Sequence, residues 1–236
     1  MATTPINAAA RNYSMRPSRV LRVIRAGGVA CCLKVNSSDA RIVEVMASSG
    51  CDAVWVCTEH TPADYANIEN QVRAAKLFDV DLVVRCPRGS YSDHIRGFEA
   101  DASAVMVPHV MSVQDARNVV NMTKFPPLGK RAIDGGNADG LYTRIPFTDY
   151  VQQANTERFV IFQIEDPEPL EELVLELTDL KFHEQDGVRR ASARARLIYE
   201  PATPGQPHVH SAQSWRLIAP IGPIEAQELS WYLEKY

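Results

Sequence analysis

The chain has 236 residues, of which 45% are hydrophobic and 23% charged, and these values exclude a wholly disordered or fibrous protein. Its formal net charge of -4 at pH 7 excludes an overall basic field that would attract nucleic acid or an anionic membrane. No apolar run approaches the roughly 20 residues that a bilayer span needs, and residues 1–16 are typical of a terminal arm rather than a signal peptide. We therefore expect a cytoplasmic protein that binds neither nucleic acid nor membrane.

The cysteines do not form a pattern that is typical of disulfide or zinc sites. There are five of them, an odd number, and none has the Cys-x-x-Cys spacing. Secreted disulfide frameworks use even numbers of cysteines, and thiolate zinc sites use closely spaced pairs. We therefore expect buried free thiols at all five positions, Cys31, Cys32, Cys51, Cys57 and Cys86.

Short apolar runs alternate with helical patterns between residues 29 and 165. The runs predict strands over 29–35, 53–58, 82–87, 104–108 and 159–165. The patterns between them predict helices over 39–49, 65–78, 92–100, 112–122 and 146–155. Apolar runs without alternation are typical of strands that are covered on both faces. Repeated strand–helix units predict an α/β fold with a parallel sheet.

Polar side chains follow these runs at the predicted carboxyl ends of the strands. Carboxyl ends of parallel strands meet at one edge of a sheet, where ligand sites form. The side chains concerned are Glu59, His60, Arg85, Arg88, His109, Gln163 and Glu165. A structural role is the alternative at each position: Glu59 and His60 could cap the next helix, and Arg85 could form a salt bridge at the core edge. The common placement after successive strands favours one shared site.

The remaining segments are a long loop and a tail of different character. Residues 126–142 are rich in Gly, Asn and Asp but contain neither GxGxxG nor GxxxxGK[ST], so a nucleotide-binding oxidoreductase has little support. In the tail, alternation over 192–200, a turn at 201–207 and an extended pattern over 209–219 predict an antiparallel hairpin. A helical pattern follows over 223–236.

Several ordered motifs resemble those of the HpcH/HpaI aldolase (citrate lyase-like) family. They are AVWVCTEHTPAD (53–64), VVRCP (83–87), AVMVPHVMSVQDAR (104–117), KFPPLGKR (124–131) and FQIEDPE (162–168). The resemblance implies a (β/α)8 (TIM) barrel over residues 17–180, here incomplete with about six strands. It leaves residues 1–16 as an arm and 181–236 as a divergent tail of hairpin and helix.

The resemblance also implies a reaction and roles for individual residues. Members of the family use a divalent cation (Mg²⁺, Mn²⁺ or Co²⁺) for reversible aldol cleavage of a 4-hydroxy-2-keto acid into pyruvate, or a related keto acid, and an aldehyde. By resemblance, Glu165 is a metal ligand, while Gln163 and Arg131 contact substrate. Arg85 holds the enolate oxygen, His60 is the general base and Glu59 orients it. These implied partners are small molecules, and we expect a homo-oligomer.

Two departures from the family pattern leave a second hypothesis open. Cys57 stands where the second-strand motif usually has an acidic residue, and the Gly-Pro-x-Asp-Leu-Ser motif that carries a second metal carboxylate is missing. The first hypothesis is a metal-dependent aldolase. The alternative is a catalytically inactive barrel fragment or chimera whose tail is an interaction module.

Overall fold

A computed structural model describes residues 13–166 with their side chains and the backbone of three strands between residues 174 and 220. The chain divides into two compact units, Met1–Asp166 and Pro167–Tyr236. Each unit is described by itself.

The first unit contains a parallel sheet whose strands are β1 (Cys32–Lys34), β2 (Ala53–Cys57), β3 (Asp81–Arg85), β4 (Ala104–Val107) and β5 (Phe159–Phe162). Its helices are α1 (Arg19–Arg25), α2 (Ala40–Ser48), α3 (Tyr65–Lys76), α4 (Tyr91–Glu99), α5 (Val113–Thr123) and α6 (Phe147–Glu157). The strands lie in the order β1-β2-β3-β4-β5, and all four pairings are parallel. The predicted α/β class and all five predicted strands are confirmed. The expectation of about six strands is corrected to five parallel strands among the described residues.

Both faces of the central strands β2, β3 and β4 are largely buried, which is why these strands have no polar alternation. The edge strand β1 is more exposed, and β5 is half-buried. Val54, Val56 and Val84 lie in one cluster with residues of α2 and α3, and the face of the sheet that packs on these helices is called the outer face. The alternate strand positions lie in a second cluster on the opposite face, which is called the inner face. The inner-face residues of the strands are Ala53, Trp55, Val83, Ala104, Met106, Phe159 and Ile161.

Residues 16–20 are anchored to the start of β3 by one buried carboxylate, that of Asp81. Asp81 Oδ1 accepts from Arg16 Nη2 at 2.6 Å, from Ser103 Oγ at 2.9 Å and from the Arg19 backbone N–H at 3.1 Å. Asp81 Oδ2 accepts from Ser18 Oγ at 2.5 Å and from the Val20 N–H at 3.0 Å. Five donors therefore converge on a side chain that is fully buried. This network holds α1 against the amino ends of the strands.

The long loop between α5 and α6 is ordered around a short 3₁₀ helix, Ala138–Gly140. Leu141, Tyr142 and Thr143 then follow with φ of 47°, 56° and 67°, in the left-handed region. Gly129 lies where the loop leaves α5, and a Cβ there would lie 2.6 Å from the carbonyl oxygen of Val120. The absence of a side chain at Gly129 therefore permits the close approach of the two backbones.

The cysteines differ from the expectation at two positions. Cys51, Cys57 and Cys86 are buried, but Cys31 and Cys32 are exposed, so the expectation of five buried thiols is wrong for this pair. Both lie at β1, the strand at one edge of the five-stranded sheet. An edge strand has a neighbour on one side only, which leaves these side chains in contact with solvent.

The second unit contains an antiparallel sheet of three strands, β6 (Val174–Gln185), β7 (Val188–Ile198) and β8 (Trp215–Pro220), in that order. β7 overlaps the predicted extended segment 192–200 and β8 overlaps the predicted segment 209–219. The two strands pair antiparallel from Arg190 with Pro220 to Ala195 with Trp215. β6 was not predicted from the sequence, because charged residues interrupt the apolar alternation of this segment. The proposed end of the barrel at residue 180 falls inside β6, and the proposed helix over 223–236 lies outside the described residues.

None of the helices in the described part of the chain combines the length and apolar character that a membrane span requires.

Candidate active site

Glu59, His60 and Arg85 lie together beyond the carboxyl ends of β2 and β3. Cys57, the last residue of β2, pairs in register with Arg85, the last residue of β3. Glu59 Oε2 lies 3.2 Å from Arg85 Nε and 3.5 Å from His60 Nε2. Arg85 is 8% exposed, whereas the His60 side chain is 66% exposed. The carboxylate therefore lies between a buried cation and an imidazole that solvent reaches.

The Cys57 sulfur organises this cluster. It accepts hydrogen bonds from Arg85 Nε at 3.3 Å and Arg85 Nη2 at 3.2 Å, and from the His60 backbone N–H at 3.3 Å. Thr58 joins the same strands, since its backbone N–H donates to the Arg85 carbonyl oxygen at 2.8 Å. A thiol is a weak acceptor, so Cys57 directs the guanidinium without the charge that an acidic residue would bring.

The alternative that Glu59 and His60 cap the next helix is wrong, because Asp64 is the N-cap of α3 and completes a capping box with Asn67. The alternative structural role of Arg85, a salt bridge at the core edge, remains, since Arg85 does form an ion pair with Glu59. Arg88 lies apart from this cluster and pairs with Asp115 at 3.0 Å.

Two cations lie near the ring of Trp55, on the inner face of β2. The Arg85 guanidinium carbon lies 5.4 Å from the ring centroid, and Lys34 Nζ lies 4.8 Å from it. The indole Nε1 is buried and has no hydrogen-bond partner. Two cations and an unused N–H donor make this part of the inner face suited to a negatively charged group.

A second group of side chains lies at the carboxyl ends of β4 and β5. His109 has a φ of 50°, and its backbone N–H donates to Glu165 Oε1 at 3.1 Å. His109 Nδ1 lies 2.8 Å from Asp166 Oδ2, and His109 Nε2 lies 3.7 Å from Glu165 Oε1. The hydrogen bond to Asp166 raises the pKa of His109, and the charges of Glu165 and Glu59 act in the same direction. The influence of Glu59 links this group electrostatically to the cluster at β2 and β3.

Gln163 and Glu165 continue the inner-face alternation of β5. Phe159 and Ile161 belong to the inner cluster, and residues 163 and 165 follow at the same period of two. The backbone of Gln163 is held on both sides: its N–H donates to Val107 at 2.9 Å, and its carbonyl accepts from Val110 at 3.1 Å. Its side-chain Oε1 is buried with no hydrogen-bond partner. An oxygen in that state is available to a ligand or cation.

Arg131 lies in a different environment from these groups. It is 3% exposed, and its Nη2 donates to Asp139 Oδ2 at 2.9 Å, the same oxygen that accepts from the Tyr150 hydroxyl at 2.7 Å. Its guanidinium carbon lies 4.6 Å from the Phe125 ring centroid. Burial raises the pKa of Asp139, although Arg131 opposes that shift. Arg131 therefore forms a buried ion pair that orders the loop before α6.

The side-chain oxygens of Gln163 and Glu165, after β5, are of the type that binds a divalent cation, but they are few. The Glu165 carboxylate and the Gln163 amide oxygen are hard oxygen ligands of the type that Mg²⁺ and Mn²⁺ accept. Within residues 13–166 there is no group of three or more His, Cys, Asp and Glu side chains arranged to hold a metal ion. A cation there would complete its coordination with water and substrate, as Mg²⁺ commonly does.

His109 was predicted as a strand-end residue, but its partner Asp166 and the hydrogen bonds of Cys57 were not predicted. The signal for Asp166 was its place directly after Glu165. The role of Cys57 has no sequence signal of its own, because it depends on the parallel register that sets Cys57 beside Arg85.

Comparisons with known proteins agree with these motifs. A family model described as HpcH/HpaI aldolase/citrate lyase matches residues 31–175. A 2-keto-3-deoxy-L-rhamnonate aldolase of Klebsiella pneumoniae is 30% identical over 197 residues, which cover 80% of this chain and 71% of the relative. An HpcH/HpaI aldolase structure from Desulfitobacterium hafniense is 28% identical with a TM-score of 0.59, over 64% of this chain and 59% of that one. The citrate synthase SbnG structure is 26% identical with a TM-score of 0.56, over 62% and 56% of the two chains. The chain thus spans less than two thirds of the length of these two solved structures.

Proposed function

Because the chain belongs to the HpcH/HpaI aldolase/citrate lyase family, we propose that it is a metal-dependent lyase. The proposed reaction is reversible aldol cleavage of a 4-hydroxy-2-keto acid into pyruvate, or a related keto acid, and an aldehyde. The observation that carries this proposal is the placement of Glu59, Arg85, Gln163 and Glu165 at the carboxyl ends of strands in one parallel sheet. Catalytic side chains of (β/α)8 enzymes come from these strand ends.

In this proposal Arg85 stabilises the negative charge that develops on the keto oxygen. Its guanidinium is buried and is held by Cys57 and Glu59 before substrate arrives. A preorganised cation at low exposure acts more strongly on developing charge than a solvated one. The cation pair around Trp55 gives the same region a positive potential that favours the carboxylate of a keto acid.

His60 is the proposed general base, and Glu59 is the proposed positioning residue. The imidazole is accessible, as a group that exchanges a proton with substrate must be. Glu59 Oε2 lies 3.5 Å from His60 Nε2, slightly beyond a normal hydrogen bond, and a small movement of the exposed ring would close that distance. The Glu59 carboxylate would then stabilise the imidazolium form.

Glu165 is the proposed residue for the divalent cation, and Gln163 is the proposed substrate contact beside it. When bound, the cation supplies Lewis-acid polarisation of the carboxylate and carbonyl oxygens of the keto acid. Glu165 brings the negative charge, and Gln163 brings a buried oxygen that lacks another partner. Arg131 is not part of the proposed site, because its guanidinium is buried against Asp139.

The second candidate is a catalytically inactive domain whose tail is an interaction module. It is favoured by the sparse set of metal-binding side chains in residues 13–166. Exposure at β1 also leaves a sheet edge that a second copy of the chain could cover in a homo-oligomer.

Turnover in the presence of metal separates the two candidates. The full chain is incubated with 2-keto-3-deoxy-L-rhamnonate, with Mg²⁺, Mn²⁺ or Co²⁺ or with EDTA, and pyruvate is measured through lactate dehydrogenase. An aldolase releases pyruvate in at least one metal and none in EDTA. If pyruvate release stays at the rate without protein for this acid and for shorter 4-hydroxy-2-keto acids, the inactive domain is correct.

A further inference from the structure

A cavity of about 260 Å³ is lined by side chains of α3, α4 and the loop that carries the 3₁₀ helix. Pockets for drug-sized molecules have volumes of roughly 300–1,000 Å³, so this cavity fits a smaller molecule. None of the residues that line it belongs to the candidate active site. The side chains that decide its chemistry are those of Tyr65, Glu69, Arg96, Glu99, Asn137 and Tyr142.

Arg96 brings an unpaired positive charge to this cavity. Its guanidinium carbon lies 5.2 Å from the ring centroid of Tyr65. The guanidinium has no ion pair or hydrogen bond to any other residue between 13 and 166. The contact with the aromatic ring directs the side chain and leaves its N–H donors unused. A planar guanidinium with unused donors is suited to a carboxylate, which it can bind through two parallel hydrogen bonds.

Glu99 brings an unpaired negative charge. It follows Arg96 by three residues on α4, a spacing that makes two side chains neighbours on one face of a helix. Its carboxylate has no ion pair or hydrogen bond in the described part of the chain. Burial raises the pKa of Glu99, and the charges of Arg131 and Arg96 act in the opposite direction. The charges of Arg96 and Glu99 thus influence each other without forming a pair, so each can still bind a ligand group.

The other polar groups of the lining are neutral or already neutralised. Glu69 forms an ion pair with Arg73 at 2.7 Å. The side chain of Asn137 makes no capping hydrogen bond to the 3₁₀ helix, and Tyr142 supplies a phenol ring. Among the described residues that line the cavity, Arg96 and Glu99 therefore carry the charges without a partner.

The loop wall of the cavity is held by its own backbone. Tyr142 has a φ of 56°, and its N–H donates to the carbonyl oxygen of Asn137 at 2.9 Å. The N–H of Thr143 donates to the carbonyl oxygen of Gly135 at 2.8 Å. Left-handed residues that carry side chains are concentrated at ligand clamps and other functional sites. A wall that is fixed before binding also reduces the entropy that a ligand must overcome.

We infer that this cavity binds a small α-amino acid with an uncharged side chain, whose carboxylate pairs with Arg96 and whose ammonium pairs with Glu99. An α-amino acid carries both charges on one carbon atom, which matches two opposite charges side by side on one helix. Hydrogen bonds between charged groups are stronger than those to neutral groups, so a neutral sugar would use the same two residues less well. The inference is independent of the proposed function, because no residue of the strand-end site takes part.

Isothermal titration calorimetry on the full chain tests the inference. The chain is titrated with L-alanine, L-serine, L-threonine and L-leucine, and we expect a Kd below about 1 mM for at least one of them. For that amino acid, the amine that lacks the carboxylate and the acid that lacks the ammonium should each bind at least about tenfold more weakly. D-Glucose tests a neutral polyhydroxylated ligand, and tighter binding of glucose than of every amino acid would overturn the inference.

Arg96→Met and Glu99→Gln should each raise the Kd at least about tenfold, because each removes a charge-assisted hydrogen bond. Arg41→Met and Glu44→Gln are the matched controls at exposed positions of α2 and should leave the Kd unchanged. If circular dichroism shows that the site variants do not fold, Asn137→Ala replaces them and should also weaken binding, since Asn137 lines the same cavity. The inference is overturned if no amino acid binds, if the amine or the acid binds as tightly as the amino acid, or if the site variants keep wild-type affinity. None of these measurements depends on turnover, so their failure would leave the proposed function intact.

Discussion

Replacement of Asp81 by Asn should destabilise the first unit strongly, although the two side chains have nearly the same shape. The carboxylate accepts five hydrogen bonds, including one from the buried backbone N–H of Val20 and one from the Arg16 guanidinium. An amide offers one acceptor oxygen and turns its NH₂ group toward donors. Two or more donors therefore lose their acceptor.

The magnitude follows from burial. Removal of one partner from a buried ion pair costs about 3–5 kcal/mol, and each buried donor left without an acceptor costs about 1–3 kcal/mol. Arg16 also contacts Asp79 at 3.0 Å, so its charge is not left alone and the lower part of the first range applies. We expect a loss of about 3 kcal/mol, which corresponds to a fall in Tm of about 6–12 °C for a domain of this size.

The destabilisation caused by Asp81→Asn should depend on pH, because the hydrogen-bond network shifts the pKa of Asp81. Burial alone would raise the pKa of Asp81, but Arg16 and the hydrogen bonds from Ser18 and Val20 together lower it. A lowered folded-state pKa stabilises the fold above the unfolded-state pKa of about 3.9, and this stabilisation disappears as the pH falls through the folded-state value. The difference between wild type and variant should therefore be full at pH 7 and shrink in acid below about pH 4.

Thermal and urea denaturation followed by circular dichroism measure the loss of stability and its dependence on pH. Asp39→Asn is the matched control, because Asp39 is a half-exposed N-cap whose role asparagine can also fill. Melting of Asp81→Asn within about 2 °C of wild type at pH 7 would refute the role assigned to the network.

Three further changes test other parts of the structure. Arg85→Lys should lower kcat for pyruvate release about 100- to 1000-fold, because a single ammonium cannot replace the planar guanidinium. Arg41→Lys on the exposed surface should leave kcat unchanged. Near wild-type turnover in Arg85→Lys would assign Arg85 to structure. Gly129→Ala should lower the free energy of unfolding in urea by about 1–3 kcal/mol, since the new Cβ would meet the backbone of α5. The new Cβ in Gly135→Ala meets nothing within 4 Å, so this control should be nearly neutral. Equal stabilities of the two variants would contradict the close approach at Gly129. Burial lowers the pKa of Lys124 to about 8, so the free energy of unfolding of wild type relative to Lys124→Met should rise between about pH 8 and pH 10.4, and a constant difference across that window would refute the shift.

The central strands of the parallel sheet were predictable because they are covered on both faces. Runs such as 53–58 and 104–108 have no polar alternation, and the structure places them as β2 and β4 within a residue or two. The start of α5 agrees with the helix predicted over 112–122, since Ser112 is its N-cap and accepts from the Asp115 N–H. β6 was not predicted because its strand character comes from pairing with β7 rather than from an apolar face of its own.

The site was predictable as a set of strand ends and not as a set of contacts. The position of Glu165 follows from the end of β5, but its bond to the His109 N–H depends on a left-handed backbone that no sequence rule assigns to histidine. For Arg131 the motif and the structure indicate different roles. Its motif suggested a substrate contact, whereas the structure pairs it with Asp139, eight residues further on, through a turn that the spacing alone does not fix.

Deuterium exchange into pyruvate tests most directly whether the strand-end site stabilises the enolate of a keto acid, because no knowledge of the aldehyde is needed. Pyruvate is incubated in D₂O with the full chain and Mn²⁺, the metal is removed with EDTA, and deuterium in the methyl group is measured by mass spectrometry. We predict deuterium incorporation that requires both protein and metal and that falls at least about 100-fold in Arg85→Lys. Incorporation no faster than in buffer with the same Mn²⁺ would contradict the proposed function.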